Sequence, residues 1–417
     1  MSYVRDSVLA ILIGTLASAT ACSSARAPVV HWPSQRQAPA RSVRAPEVTP
    51  RDCSPYPEFD DEWVQTAFEA KMRDEPWLAA TGGWRDLTAF PKVDPKAQKL
   101  GGIQCLPRLD TLNLEGTQVV DLEPLSKLPH LRVLNLDGTN VESLEPLAGL
   151  TGLRWLHLKH TQVADLAPLS RATRLFRLDL ATTGVVDLAP LAGLHGLESL
   201  DLSGTKVTGL EALSGLARLR WLDLSGTPVS DLEPLSRLTE LQYLFLDGTQ
   251  VTDLAPLAGL VRLRRLYLRE TQVTDLRPLV ALPELDELHL EATSVADLEP
   301  LATLPSLRQL FLGGTRVSDL GPLSGVATLR RLNLESTPVT DVRPLARLSR
   351  LLRLRLDGTR VSDPTPLATL RSLRSLDITQ TAVDCARHAE TIRSLAHRIR
   401  YLSSDCAPPP AMAPHRQ

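Results

Sequence analysis

His157, Lys159 and His160 stand within one four-residue stretch, close enough for two imidazoles to share a ligand. A zinc ion takes three or four nitrogen, sulfur or carboxylate ligands. The sequence places no cysteine and no evident carboxylate beside this pair, so neither a metal nor another cofactor is expected. Aspartate recurs at an interval of 22 residues, at Asp121, Asp165, Asp187 and Asp231, then in each interval from Asp253 to Asp363. A calcium column would need several oxygens converging on one ion, and the clustered D-x-D pattern of calcium-binding repeats is missing. An aspartate just ahead of a short turn instead accepts backbone N–H groups. No nucleophile elbow, phosphate loop or metal-ligand spacing occurs, and no enzyme is expected.

The element that positions these residues is a repeat. From Leu106 to Thr391 the chain aligns with itself at a shift of 22 without an insertion, giving thirteen units of the form L-x-x-L-x-x-L-x-L-x-x-T-x-V-x-D-L-x-P-L-x-x. One unit reads Leu238, Leu241, Leu244, Leu246, Thr249, Val251, Asp253, Leu254, Pro256 and Leu257. A single unit cannot bury its leucines, but stacked units let each inward position meet its own copy above and below. The L-x-L at the seventh and ninth positions alternates with period two and predicts a short strand in a parallel sheet. The D-L-x-P-L segment is too short for an α-helix and predicts a turn or 3₁₀ piece on the opposite side. Threonine at the twelfth position holds in all thirteen units, from Thr117 to Thr381, as the hydrogen-bonding spine of the turn. The fold class is therefore an α/β solenoid: thirteen units with a concave parallel sheet, a 3₁₀ or turn-rich convex side and helical caps.

This unit resembles the 22-residue repeat of internalin-like bacterial leucine-rich-repeat proteins, across the whole array. The resemblance implies a curved solenoid that binds protein partners on its concave face. It departs at the twelfth position, where that family has asparagine and this chain has threonine.

Open ends of such an array expose leucine and need covers. Within residues 53–105, Trp63, Val64, Phe68 and Met72 share one face of a helix expected from about Asp60 to Arg73. Residues 386–406 close the other end with a helix expected from Ala386 to Leu402, through Ile392, Leu395, Ile399 and Leu402. Thirteen strands at about 4.8 Å separate the ends by roughly 60 Å, whereas a disulfide needs Cα atoms within about 7 Å. Pairing is therefore local: Cys53 with Cys105, and Cys385 with Cys406. The fifth cysteine, Cys22, follows Ala19-Thr20-Ala21 and an apolar stretch from Val8 to Ala17 too short to span a bilayer. That pattern resembles the lipobox of bacterial lipoproteins and is also compatible with plain secretion; either way residues 1–21 form the signal peptide. Residues 22–52, rich in Pro, Ala, Ser and Arg, predict a disordered tether, and 407–417 a disordered tail.

With the seventh and ninth positions inward, the sixth, eighth and tenth form three columns on the concave sheet. The eighth reads Asn113, Asn135, His157, Asp179, Asp201, Asp223, Phe245, Tyr267, His289, Phe311, Asn333, Arg355 and Asp377. Trp155, Trp221 and Tyr243 in the sixth column widen the run of rings, and Arg331 and Arg353 lie beside Arg355. Aromatics make up only 4% of the chain, and about a third of them fall here. Solvent-facing rings rimmed by charge are the usual composition of a protein-binding patch. The three aspartates read as a solvated face, with Arg177 to relieve them. The expected role is capture of a protein, or secondarily a glycan, by a monomeric module at the cell envelope, held to the membrane through Cys22. A net charge of −2 and the export signal argue against nucleic acid. The competing readings are a structural spacer without a ligand, and an enzyme with its site in the N-terminal cap.

Overall fold

The computed structural model describes residues 57–75 and 83–406. The expected signal peptide, tether and tail, with Cys22 and Cys53, lie outside these residues. Thirteen strands run from β1 (Thr111–Asn113) to β13 (Ser375–Ile378), occupying the sixth to eighth positions of successive units and, in β13, the ninth as well. They pair in parallel in sequence order, each position over its own copy, as in Leu222↔Leu244↔Leu266. In the unit beginning at Leu238, all six leucines and Val251 are at most 1% exposed. Because every unit repeats that set, the core runs without a break from Val64 in the first cap to Ile399 in the last.

The convex side is built from short 3₁₀ helices such as Glu123–Lys127, with proline in the first turn where no intrahelical donor is lost. The repeat aspartate holds ten of the twelve: Asp121 Oδ1 accepts from Glu123 N at 2.9 Å, and Asp253 does the same for Ala255. Ser143 substitutes more weakly, its Oγ accepting from Glu145 N at 3.3 Å. All thirteen spine threonines donate Oγ1–H to the carbonyl three residues earlier, as Thr249 does to Leu246 at 2.6 Å. The eleventh position, between strand and spine, is left-handed in every unit. Glycine fills seven of these turns, and His160, Thr182, Glu270, Ala292, Ser336 and Gln380 adopt φ of 54–58° in the other six.

At the N-terminal end, α1 (Glu62–Asp74) buries Val64, Phe68 and Met72. Its cap Asp61 accepts from Trp63 N through one oxygen and from Gln98 N and Lys99 N through the other, tying helix to loop. Cys105 is buried and disulfide-bonded.

The C-terminal end differs from the sequence expectation of one helix to Leu402. Helix α2 covers only Ala389–Arg398, and Ile399 is extended at φ −89°, ψ 130°. The chain then forms a fourteenth strand, β14 (Tyr401–Ser404), parallel to β13 with Leu402 opposite Leu376. An uncovered β13 would leave a row of unpaired backbone groups; satisfying them outweighs one more turn of helix, and Tyr401 N donates to Arg374 O at 3.0 Å. The expected Cys385–Cys406 bond is present with Cα atoms 5.4 Å apart, fixing this return strand.

Candidate binding face

In-register parallel pairing determines the concave surface. It places eighth-position side chains one strand spacing apart, so planar groups there stack. Phe245 and Tyr267 have ring centroids 4.5 Å apart, Tyr267 and His289 4.2 Å, and His289 and Phe311 4.1 Å with planes 8° from parallel. Trp221 closes the ladder against Phe245 at 5.4 Å. The rings therefore bury one another: Trp221 and Phe245 are 1% exposed, Tyr267 2% and His289 3%. Tyr243 is buried too. The expected solvent-facing strip is thus corrected to an internal stack, because rings at this spacing cover each other's faces and the neighbouring columns cover their edges. Trp155 and Phe311 stay half-buried, and Arg331, Arg353 and Arg355 are exposed.

A charged lattice surrounds His289. Its Nε2 lies 2.8 Å from Glu287 Oε1, which also accepts from Tyr267 Oη at 3.0 Å, while Arg265 Nε is 3.3 Å from Glu287 Oε2. Its Nδ1 faces Arg269 Nη2 at 2.6 Å and Glu291 Oε2 at 3.3 Å. In the neutral ring Nδ1 accepts from Arg269; in the charged ring Nδ1–H turns to Glu291. Burial opposes the charged ring, but hydrogen bonds to Glu287 and Glu291 outweigh it and raise the pKa above the usual value, with Arg269 opposing. Burial likewise pushes the Tyr267 hydroxyl up, and the Glu287 carboxylate adds to it.

On the N-terminal side of the ladder the eighth-position carboxylates serve the backbone. Asp179, Asp201 and Asp223 each accept through Oδ1 from the N–H two residues on, at 3.1, 2.9 and 2.8 Å. They are turn caps rather than a freely solvated face. His157 does not pair with His160, which is exposed on the left-handed turn. It instead meets two carboxylates that the sequence reading did not place: ligand atoms of Asp137, His157 and Asp179 all lie within 4.8 Å of one another. Desolvation raises Asp137 to about 6, and desolvation with the Asp201 charge raises Asp179 to about 7. Desolvation and Arg177 lower His157 to about 3. The signal was available in the columns, since Asp179 follows His157 by one repeat and Asp137 precedes it by one repeat less two residues.

On the C-terminal side the face turns basic. Arg355 is paired with Glu335 at 3.1 Å and Asp357 at 3.0 Å. Arg331 donates to Gln309 Oε1 at 3.0 Å. Arg330, Arg331, Arg353 and Arg374 are exposed and make no ion pair among the described residues.

Residues 107–149 and 217–259 match the family described as "Leucine Rich repeats (2 copies)", and 173–229 match "Leucine rich repeat". Leucine-rich repeats are thus recognised in these stretches, and the fold is structurally similar to that of Listeria internalins. An internalin of Listeria monocytogenes is 29% identical, with a TM-score of 0.72, over 76% of this chain and 95% of that one. A leucine-rich-repeat protein of Leptospira interrogans is 22% identical, with a TM-score of 0.69, over 76% and 81%. A plant peptide hormone receptor in complex with RGF2 shares the fold at 16% identity, with a TM-score of 0.59, over 76% of this chain and 55% of the receptor. No curated protein matches the sequence.

Proposed function

We propose that this leucine-rich-repeat chain is a non-catalytic protein-binding module displayed at the cell envelope, with its ligand held on the concave sheet. The observation that carries the reading is the exposed basic zone beside the end of the ladder. Arg331 and Arg353 stand opposite each other on adjacent strands, one and two strands along from half-buried Phe311, without an ion-pair partner among the described residues. Holding like charges on adjacent strands is unfavourable in the free protein, and an acidic surface set against an aromatic edge would relieve it. The buried ladder supplies a rigid platform, so the side chains that select the partner are the arginines and the half-buried rings Trp155 and Phe311. A leucine-rich-repeat receptor in complex with its ligand supports the class of activity.

Envelope display rests on the leader-like segment before Cys22 and on the Cys385–Cys406 disulfide, which persists in an oxidising compartment. In this reading Cys22 carries the lipid, residues 22–52 hold the solenoid off the membrane, and Cys53 bonds Cys105. Intact mass of the mature protein from its native host tests this part: a diacylglycerol adduct on Cys22 supports it, and an unmodified thiol there replaces anchoring with secretion.

The binding reading is tested by capture from host-envelope extracts with wild type and an Arg331→Glu, Arg353→Glu variant. A specific protein bound by wild type, and at least tenfold less by the variant at unchanged Tm, is the expected result. Equal capture by both, or none by either, favours a structural spacer.

A further inference from the structure

We propose that Asp137, His157 and Asp179 form a binding site for a divalent transition-metal ion, Zn2+ being the first candidate, on the N-terminal half of the concave sheet. Three adjacent repeats each contribute one donor. Asp137 comes from the tenth position of its unit, and His157 and Asp179 from the eighth position of the next two. Parallel pairing of β3 (Trp155–His157) with β4 (Arg177–Asp179) sets His157 directly beside Asp179.

The donors are pre-oriented by their other bonds. Asp137 Oδ1 accepts from Lys159 N at 2.7 Å, and Asp179 Oδ1 from Ala181 N at 3.1 Å. In each carboxylate one oxygen is thus fixed by backbone and the other is left for the cluster. Asp179 is only 9% exposed, and its Oδ2 makes no hydrogen bond among the described residues. That oxygen stands 4.0 Å from His157 Nδ1, too far for a hydrogen bond. The imidazole itself makes no hydrogen bond among the described residues, although its side chain is only 15% exposed. Two ligands on one tetrahedral zinc lie roughly 3.4 Å apart, given metal–ligand distances near 2.1 Å. Small side-chain rotations close three donors within 4.8 Å onto one ion.

Charge points the same way. Asp137, Asp179 and Asp201 act on one buried guanidinium, Arg177, which makes no ion pair within bonding distance among the described residues, while Lys159 and Glu115 act on Asp137 from the edge of the cluster. The four carboxylates outnumber the two cations, Arg177 and Lys159, by two, and a divalent ion balances that excess. Imidazole with two carboxylates suits zinc or manganese, whereas calcium and magnesium prefer all-oxygen shells.

The test uses the whole chain without a polyhistidine tag, stripped with chelator and titrated with Zn2+ alone by calorimetry and thermal melting at pH 7. One ion per chain and a rise in Tm are expected. His157→Gln should weaken binding at least tenfold with its circular dichroism unchanged, while Asp231→Asn, an exposed turn cap on the convex side, should stay within threefold of wild type. Asp179→Asn provides a separate readout: it should raise the Tm of the stripped protein by removing buried repulsion, and abolish the response to zinc. Absence of stoichiometric binding, or a zinc response equal in wild type and His157→Gln, overturns the proposal.

Discussion

The imidazole of His289 lies flat on the phenol ring of Tyr267, centroids 4.2 Å apart and planes 10° from parallel, and Glu287 accepts a hydrogen bond from both residues. One carboxylate on the sixth column thus clamps two consecutive rungs of the eighth. The ladder is held through its faces by stacking and through its polar edges by ion pairs, which makes it part of the folded core although it lies on the open side of the sheet.

Removing a ring from the ladder should therefore cost stability before it costs binding. Phe245 is stacked on both sides by Trp221 and Tyr267. Phe245→Ala should destabilise the chain by about 3 kcal/mol, the lower end for buried aromatic truncation. Arg353→Ala, on an exposed side chain, should change it by less than about 0.5 kcal/mol. Paired urea melts check this; equal midpoints for the two variants would mean that the rings do not carry load. A capture experiment built on Phe245 would confuse unfolding with lost recognition, which is why the arginines are the informative positions.

The His289 lattice makes stability depend on pH in a defined direction. The ring's folded-state pKa is raised, so its protonated form favours the fold: this contribution is fully present below about pH 6.5, the unfolded value, and is lost as pH rises through the folded pKa. For Glu287 and Glu291, burial opposes ionisation, but the His289 hydrogen bonds dominate and lower both pKa values. Their contribution is present above about pH 4.3 and lost as pH falls through their folded values. Wild-type Tm should decline from about pH 6.5 towards 8, and His289→Gln should flatten that decline. A His289→Gln curve parallel to wild type would assign the slope to other groups.

The spine offers a test by near-isosteric substitution. Thr249 Oγ1 donates to Leu246 O at 2.6 Å, and that carbonyl also accepts from Thr249 N at 3.2 Å. Thr249→Val keeps the shape, removes one of the two donors, and should cost about 1 kcal/mol, the usual net worth of such a bond. A Tm shift below experimental error would assign the turn's stability to the backbone bond alone.

The frame of the fold was legible because thirteen copies of a period reveal which positions are inward: leucines, the threonine spine and the aspartate caps all fall where the pattern puts them. What the pattern did not reveal depends on distances between columns. Stacking at the strand spacing turned Phe245, Tyr267 and His289 from presumed contact residues into core. The approach of Asp137 to His157 combines an offset of one repeat with a shift of two positions, which a single column cannot display. Strand β14 escaped because Ile399 and Leu402 also fit helical spacing, and only the unsatisfied edge of β13 decides between helix and strand.

The eleventh position carried a signal in its glycines that bears on stability. Thr182 adopts φ 56° there, where neighbouring units have Gly204 and Gly226 at 68° and 69°. A β-branched residue is strained in this left-handed region by about 1–2 kcal/mol, because its Cβ crowds the backbone. Thr182→Gly removes that crowding and loses little else, although glycine also gains entropy in the unfolded chain, which offsets part of the benefit. The net expectation is a stabilisation of roughly 0.5–1 kcal/mol, read as a higher urea midpoint at unchanged slope. Thr182→Ala keeps a Cβ and should recover less than Thr182→Gly. If alanine proved as good as glycine, β-branching rather than the sign of φ would be the source of the strain.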